Sequence, residues 1–220
     1  MSTLGGGYRS RTYCRLALMM TVVLVSVLAG LSGCAGDPAS DSWTTSFDAS
    51  EGWTLSSDAV ADVSIVDGTL QVHVFSPGQL AWASSQSNWQ DCRVEVSATQ
   101  VSGPIDNEYG ILMRMDDEQS FYAFSVSGDG YVRAARHTDG LWSLLSPDWS
   151  PSDAVNQGVA TNRLEVIAVR TRFEFRVNDQ TVFEVEDPDA KGGPIGLYAG
   201  AFSEGDVVVA FDDLNVTLAP

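Results

Sequence analysis

Cysteine, histidine and basic residues are all scarce in this chain. Its 220 residues hold 3 Cys and 2 His, too few for a disulfide framework or a Cys/His zinc site. Lysine and arginine together number 12 against 29 acidic residues, a formal net charge of -17. So negative a surface repels phosphate backbones, which excludes nucleic acid as a partner. Amphipathic helical periodicity is missing from Trp43 onward, and so is any repeat of fixed period, which argues against a helical bundle and against a propeller. Gly-x-Ser-x-Gly, His-Glu-x-x-His and phosphate-loop motifs are absent too. What the chain does have is apolar: 44% hydrophobic and 10% aromatic residues, enough for a packed core and too many for an intrinsically disordered chain.

The longest apolar run lies at the start. Arg9, Arg11 and Arg15 precede an apolar stretch from Leu16 to Leu28. That stretch falls short of the roughly 20 residues of a membrane-spanning helix and has the length of a signal-peptide core. Leu31-Ser32-Gly33-Cys34 follows. These four residues resemble the lipobox of bacterial lipoproteins. The resemblance implies that residues 1–33 are a signal peptide, that Cys34 is lipidated, and that cleavage makes Cys34 the new terminus. Residues 34–42 then comprise the lipidated Cys and a small, polar, flexible tether. The expected location is the bacterial cell envelope, lipid-anchored and facing outside the cytoplasm, with the membrane as a partner through the anchor. No acidic residue precedes Cys34, so removing three arginines makes the remainder more acidic still. Cys14 leaves with the signal. Cys92, in the alternating run Asp91–Val96, is then the single free thiol, and it reads as buried and inert.

From Trp43 the chain alternates with period two between turn residues. The pattern predicts strands at 43–47, 60–66, 69–75, 79–84, 91–100, 108–115, 120–127, 130–136, 141–145, 162–170, 172–178, 181–186, 194–202 and 206–218. Asp67-Gly68, Gly128-Asp129-Gly130, Asp139-Gly140 and Asn178-Asp179 are hairpin signals. Residues 147–160, with Pro147, Pro151 and Gly158, read as a long loop. The fold class is therefore all-β, an antiparallel two-sheet sandwich over residues 43–220.

Six runs carry a resemblance: Asp106–Arg114, Phe121–Gly130, Asn162–Val166, Phe175–Asn178, Gly196–Gly200 and Phe211–Val216. Their succession resembles the laminin-G and concanavalin-A-like jelly-roll domains of bacterial secreted proteins and lipoproteins, a superfamily that includes lectins and glucanases. The resemblance implies a jelly roll with ligands on a concave face or at a rim. It also implies one structural calcium joining the first strand region to the last, with Asp48, Asp212 and Asp213 as candidate ligands. Alternation turns Asp212 outward and puts Asp213 on the side of Phe211, so Asp213 serves only at an edge or bulge.

Catalytic chemistry finds little support. Glucanases of this fold carry Glu-x-Asp-x-x-Glu on one strand. The nearest match, Glu184–Asp189, departs at two positions and contains Pro188, so it reads as a solvated strand end. Asp106, Glu108, Asp116, Asp117 and Glu118 read as acids of turn-like segments, and His73 and His137 as surface or pocket-rim residues. No residue is assigned a catalytic role. Trp43, Trp53 and Trp89 stand near strand entries and read as core or corner residues, whereas Trp142 and Trp149 sit on or beside the irregular segment. On strand 120–127, Tyr122, Phe124 and Val126 form the bulkier face and should point to the core, leaving Ser125 outside. Parity on 108–115 puts Arg114 outside with it. Arg114, Tyr131 and Arg133, together with Trp142 and Trp149, are thus the candidate ligand-binding residues, and cross-strand pairing with nearby acids is the alternative for the arginines. The expected function is a surface-anchored binding module for glycans or an envelope protein. The alternatives are a carbohydrate-active hydrolase of the same fold and a purely structural or interaction domain.

Overall fold

The computed structural model describes residues 42–117 and 119–219. The proposed signal peptide, Cys14, the lipidation site Cys34, the tether up to residue 41 and Glu118 lie outside the described residues. All regular structure among the described residues is β. In chain order the first eight strands are β1 (Ser42–Thr45), β2 (Trp53–Thr54), β3 (Ala61–Val66), β4 (Thr69–Val74), β5 (Gln79–Ser85), β6 (Cys92–Ser102), β7 (Asn107–Asp117) and β8 (Ser120–Val126). The rest are β9 (Tyr131–Thr138), β10 (Leu141–Leu144), β11 (Ser150–Pro151), β12 (Thr161–Val169), β13 (Arg172–Val177), β14 (Gln180–Glu186), β15 (Gly196–Ala201) and β16 (Val207–Leu218).

The predicted hairpins form because their turn residues tolerate a left-handed backbone. Asp67 and Gly68 have φ of 50° and 75°, and Asn178 and Asp179 have 49° and 67°. Two-residue turns with both φ positive match the right-handed twist of the strands they join. They pair Val66 with Thr69 and Val177 with Gln180.

Two antiparallel sheets result. The first runs β14-β13-β12-β6-β16-β4-β3, with β1 added against β16. The second runs β10-β9-β8-β7-β15-β5-β2, with β11 added against β9. Between them lies the main core. Tyr122 and Phe124 of β8 meet Phe173 of β13 at ring-centroid distances of 4.8 and 5.3 Å. Truncating a fully buried ring such as Phe175 to Ala costs about 3–5 kcal/mol. Trp53 and Trp89 are buried in the same core and Trp43 packs on it, as their positions near strand entries suggested. Cys92 is fully buried, and burial pushes its thiol up to about 11, which keeps it protonated and unreactive.

Three local departures from simple alternation matter. β2 and β11 are two-residue strands, too short to leave a periodic signal. β11 and the burial of Ala154 and Val155 tie down much of the segment expected to be a long loop. Asn162 secures it further, with its side-chain amide donating to the Tyr109 hydroxyl (2.9 Å) and to the Asn156 carbonyl (3.0 Å). The third departure is a bulge in β7. Register breaks between Met113 and Asp117, and Arg114 takes φ of 52°.

Candidate functional site

The outer faces of the two sheets differ in kind. On the first sheet, β6, β12 and β13 carry alternating arginines and glutamates that neutralise one another. Arg163 meets Glu95 at 2.9 Å, and Arg176 meets Glu165 at 3.8 Å. Hydrogen bonds from Arg163 hold Glu95 below the usual carboxylate range, against the opposing effect of its partial burial. This is the cross-strand pairing expected of a solvated sheet face.

The second sheet is apolar on both faces. Leu112, Met115, Phe121, Ala123 and Tyr198 form a second buried cluster on its outer side, with Leu80 and Trp82 packed against it. Strand alternation explains it. Tyr122, Phe124 and Val126 point into the main core, so Phe121, Ala123 and Ser125 point out. Four rings follow one another across this face. Trp82, Phe121, His137 and Trp142 have successive centroid separations of 5.9, 4.9 and 4.8 Å. His137 is therefore part of an aromatic row, and its Nδ1 is buried without a hydrogen-bond partner.

Arg133 lies at one end of this face. Its guanidinium carbon is 4.6 Å from the Trp149 ring centroid and 5.3 Å from that of Trp142. Each such contact is worth about 0.5–2 kcal/mol, more as water is excluded. Glu108 of β7 accepts from Arg133 at 2.8 Å and from the Tyr198 hydroxyl at 3.2 Å, and Ser125 hydrogen-bonds Tyr198 in turn. Burial pushes the Glu108 carboxyl above the usual range, and the Arg133 charge and the hydroxyl only partly offset this. Tyr198 is fully buried, which raises its hydroxyl well above the usual tyrosine value and keeps it a neutral donor. Gly200, opposite Glu108 and Leu80, leaves the room they need: a Cβ there would lie 2.8 Å from Glu108 Cγ. Tyr131 and Trp149 line an adjoining cleft of about 190 Å³ with Phe202. Tyr131 and Trp142 remain 37% and 41% exposed, so the site offers aromatic surface to solvent.

Four of the five predicted ligand-binding residues thus come together: Tyr131, Arg133, Trp142 and Trp149. Arg114 does not join them. The bulge reverses its parity and turns it between the sheets, where it donates to the Arg170 carbonyl and lies 4.8 Å from the Phe173 ring centroid. Glu108, read from sequence as a turn acid, is a buried strand residue. The alternation that puts Gly110 and Leu112 on the outer face puts Glu108 there as well. Asp187, read as part of a solvated strand end, is also buried. It accepts from Tyr122 (3.0 Å) and Arg136 (2.9 Å). Burial raises its carboxyl, but the Asp189 N–H and these two partners outweigh burial and leave it below the usual range.

The two ends of the domain do meet as the calcium expectation requires, since β1 pairs with β16. Asp48, however, accepts from Ser46, and Asp212 from the backbone N–H of Asp213, which sits in a bulge at φ 52°. Among the described residues no three His, Cys, Asp or Glu side chains gather to hold a metal. The carboxylates here do not by themselves fit an ion that takes six to eight oxygens.

Comparison with known proteins gives this face a context. A family model described as a 3-keto-alpha-glucoside-1,2-lyase-like domain matches residues 42–217. The chain belongs to this family. The match covers the whole sandwich, from β1 to the penultimate residue of β16, so the 3-keto-alpha-glucoside-1,2-lyase-like domain and the folded unit coincide. Curated proteins return no match. Among solved structures, the carbohydrate binding module CBM66 from Bacillus subtilis superposes with a TM-score of 0.62 at 18% identity, covering 76% of this chain and 95% of that one. The Crh5 transglycosylase gives 0.62 at 11% identity, over 83% and 86% of the two chains. The Bacillus licheniformis beta-glucanase gives 0.59 at 11%, over 81% and 98%. At these identities the likeness establishes the jelly-roll sandwich of the 3-keto-alpha-glucoside-1,2-lyase-like domain, and function rests on the site.

Proposed function

We propose that the domain is a glycan-binding module whose sugar sits against Trp142 and Trp149 where they flank Arg133. The observation that carries this is the pair of indoles around one half-buried, acid-backed guanidinium on an otherwise apolar outer face. Pyranose rings present flat C–H faces that stack on indole and hydroxyls that take hydrogen bonds from a fixed arginine. The family's description names a glucoside, and one structural neighbour is a carbohydrate binding module, which supports the same class of ligand. With the lipobox resemblance, the module becomes the head of a lipid-anchored protein of the bacterial envelope, held from the membrane by residues 34–42.

The test is a glycan array probed with the full chain and with Trp149→Ala. Binding that the variant loses is the expected result. An array empty for both proteins overturns it and favours an interaction domain with an envelope protein as partner. Catalysis on a glucoside is the second reading. The family's description favours it, and His137, stacked beside Trp142 at 4.8 Å, is the imidazole adjoining the site. Turnover of a 3-keto-alpha-glucoside by the chain, abolished in His137→Gln, would establish that reading.

A further inference from the structure

Trp82 and Arg133 share one cross-strand row. Register runs from Arg133 to Ser125, Gly110, Tyr198 and Trp82 without a break. Four strand steps of about 4.8 Å place the two ends about 19 Å apart, longer than a single sugar ring. Beside Trp82 opens a cleft of about 380 Å³, within the usual range for small-ligand sites. Leu80, Trp82 and Met115 give it apolar walls, and Ser56, Asp58 and Asp116 give it polar ones. Among the described residues no Lys, Arg or His lines it. Asp58 is oriented by the N–H groups of Val60 and Ala61, both bonded to its Oδ1. Between this cleft and Arg133 the side chains of the row are Ser125 and Tyr198, hydrogen-bonded to each other and both fully buried beneath their neighbours. Phe121 connects the two ends, since its ring neighbours Trp82 on one side and His137 and Trp142 on the other.

We infer that the Trp82 cleft is a second sugar subsite, and that the ligand is an oligosaccharide lying across the strands with an uncharged unit at the Trp82 end. This rests on the glycan-binding reading of the Arg133 end. A pyranose at Trp82 stacks on the indole while Asp58, Asp116 and Ser56 accept or exchange hydrogen bonds with its hydroxyls. The two carboxylates repel a uronate or sulfate there, with no cation in the cleft to compensate.

Affinity measured by calorimetry on the full chain tests this, with malto- and cello-oligosaccharides from monosaccharide to hexasaccharide and oligogalacturonates of the same lengths. The expected result is a gain of about tenfold or more once a neutral chain is long enough to reach Trp82, with no such gain for the uronates. Trp82→Ala should remove that gain and leave the shortest ligand's affinity unchanged. Because Trp82 also packs on Phe121, Ser56→Trp is the companion variant. It fills the cleft from an exposed loop position without removing a packed side chain, and it should abolish the same gain at an unaltered melting temperature. Affinity independent of chain length, or a length gain that survives both variants, overturns the second subsite. If binding is also lost in Trp149→Ala, the Arg133 site stands without it. Equal gains for uronates and neutral chains overturn the assignment of an uncharged unit. No binding of any series overturns the inference together with the reading it rests on.

Discussion

Replacing Arg133 by Met removes one member of a buried ion pair and keeps most of the side-chain volume. The side chains of Arg133 and Glu108 are only 15% and 7% exposed, so the carboxylate left behind has little access to water. Breaking a buried pair in this way costs about 3–5 kcal/mol. Glu108 can escape part of this by taking up a proton, because burial already raises its carboxyl. The expected deficit at pH 8 is therefore near the lower end, about 3 kcal/mol, or roughly 6–12 °C in Tm for a domain of this size. A carboxyl raised on folding favours the folded state at low pH and loses that contribution as pH rises through its folded value. Without Arg133 it is raised further, so the deficit of Arg133→Met should shrink from pH 8 to pH 5. Glu108→Gln retains an acceptor for Arg133 and Tyr198 and removes the charge. It should cost about 1–2 kcal/mol at pH 8 and more at pH 5, because the wild-type carboxyl, raised on folding, contributes most at low pH. The double variant should melt above Arg133→Met alone at pH 8. Thermal melts of the four proteins at both pH values decide the matter. A deficit for Arg133→Met that is the same at pH 5 and pH 8, or a Glu108→Gln variant less stable than Arg133→Met at pH 8, would refute the coupling.

Asp187, held below the usual range by its partners, stabilises the fold above the unfolded carboxylate value near 3.9, and this is lost as pH falls through its lower folded value. Asp187→Asn should accordingly lower Tm at pH 7 and flatten the acid side of the stability curve below about pH 4, as read by melts across pH. Gly200→Ala crowds Glu108 and Leu80 and should cost about 1–3 kcal/mol, measured by urea titration. The calcium expected at Asp48, Asp212 and Asp213 is tested by melts in Ca²⁺ and in EDTA, and coincident melts would remove it. A rise of several degrees with Ca²⁺ would instead restore a jelly-roll calcium through Asp48 and Asp212. Cys34→Ser should leave the chain unlipidated and its signal uncleaved, seen as loss of lipid-label incorporation and retention of the signal by mass.

Alternation and turn residues made most of the sandwich legible, because each strand buries one face and each tight hairpin needs Asp, Asn or Gly with positive φ. Gly68 and Asn178 announce their turns in this way. Arg114 shows the limit. Nothing in Ile111–Met115 signals a bulge, since an arginine at φ 52° is sterically unfavoured and is held there by contacts across the sheets. The aromatic pair was readable as two tryptophans beside an irregular segment. Their meeting on Arg133 depends on how residues 145–151 return to β9, which no local pattern encodes. Glu108 was within reach of the same parity that placed Ser125, but its neighbours Asp106 and Asn107 made the segment look like a turn. Asp187 was hidden for a related reason. Pro188 and three other acids around it suggest solvent, and only the tertiary approach of Tyr122 and Arg136 buries it.

The central claim is that a sugar binds at the tryptophan pair around Arg133. A crystal structure of the full chain with the best-binding glycan of the array tests it most directly. The account predicts a pyranose ring stacked on Trp149 or Trp142, with a hydroxyl within hydrogen-bond reach of the Arg133 guanidinium. A ligand bound on the ion-paired outer face of the first sheet, or anywhere that leaves both indoles uncovered, would contradict it.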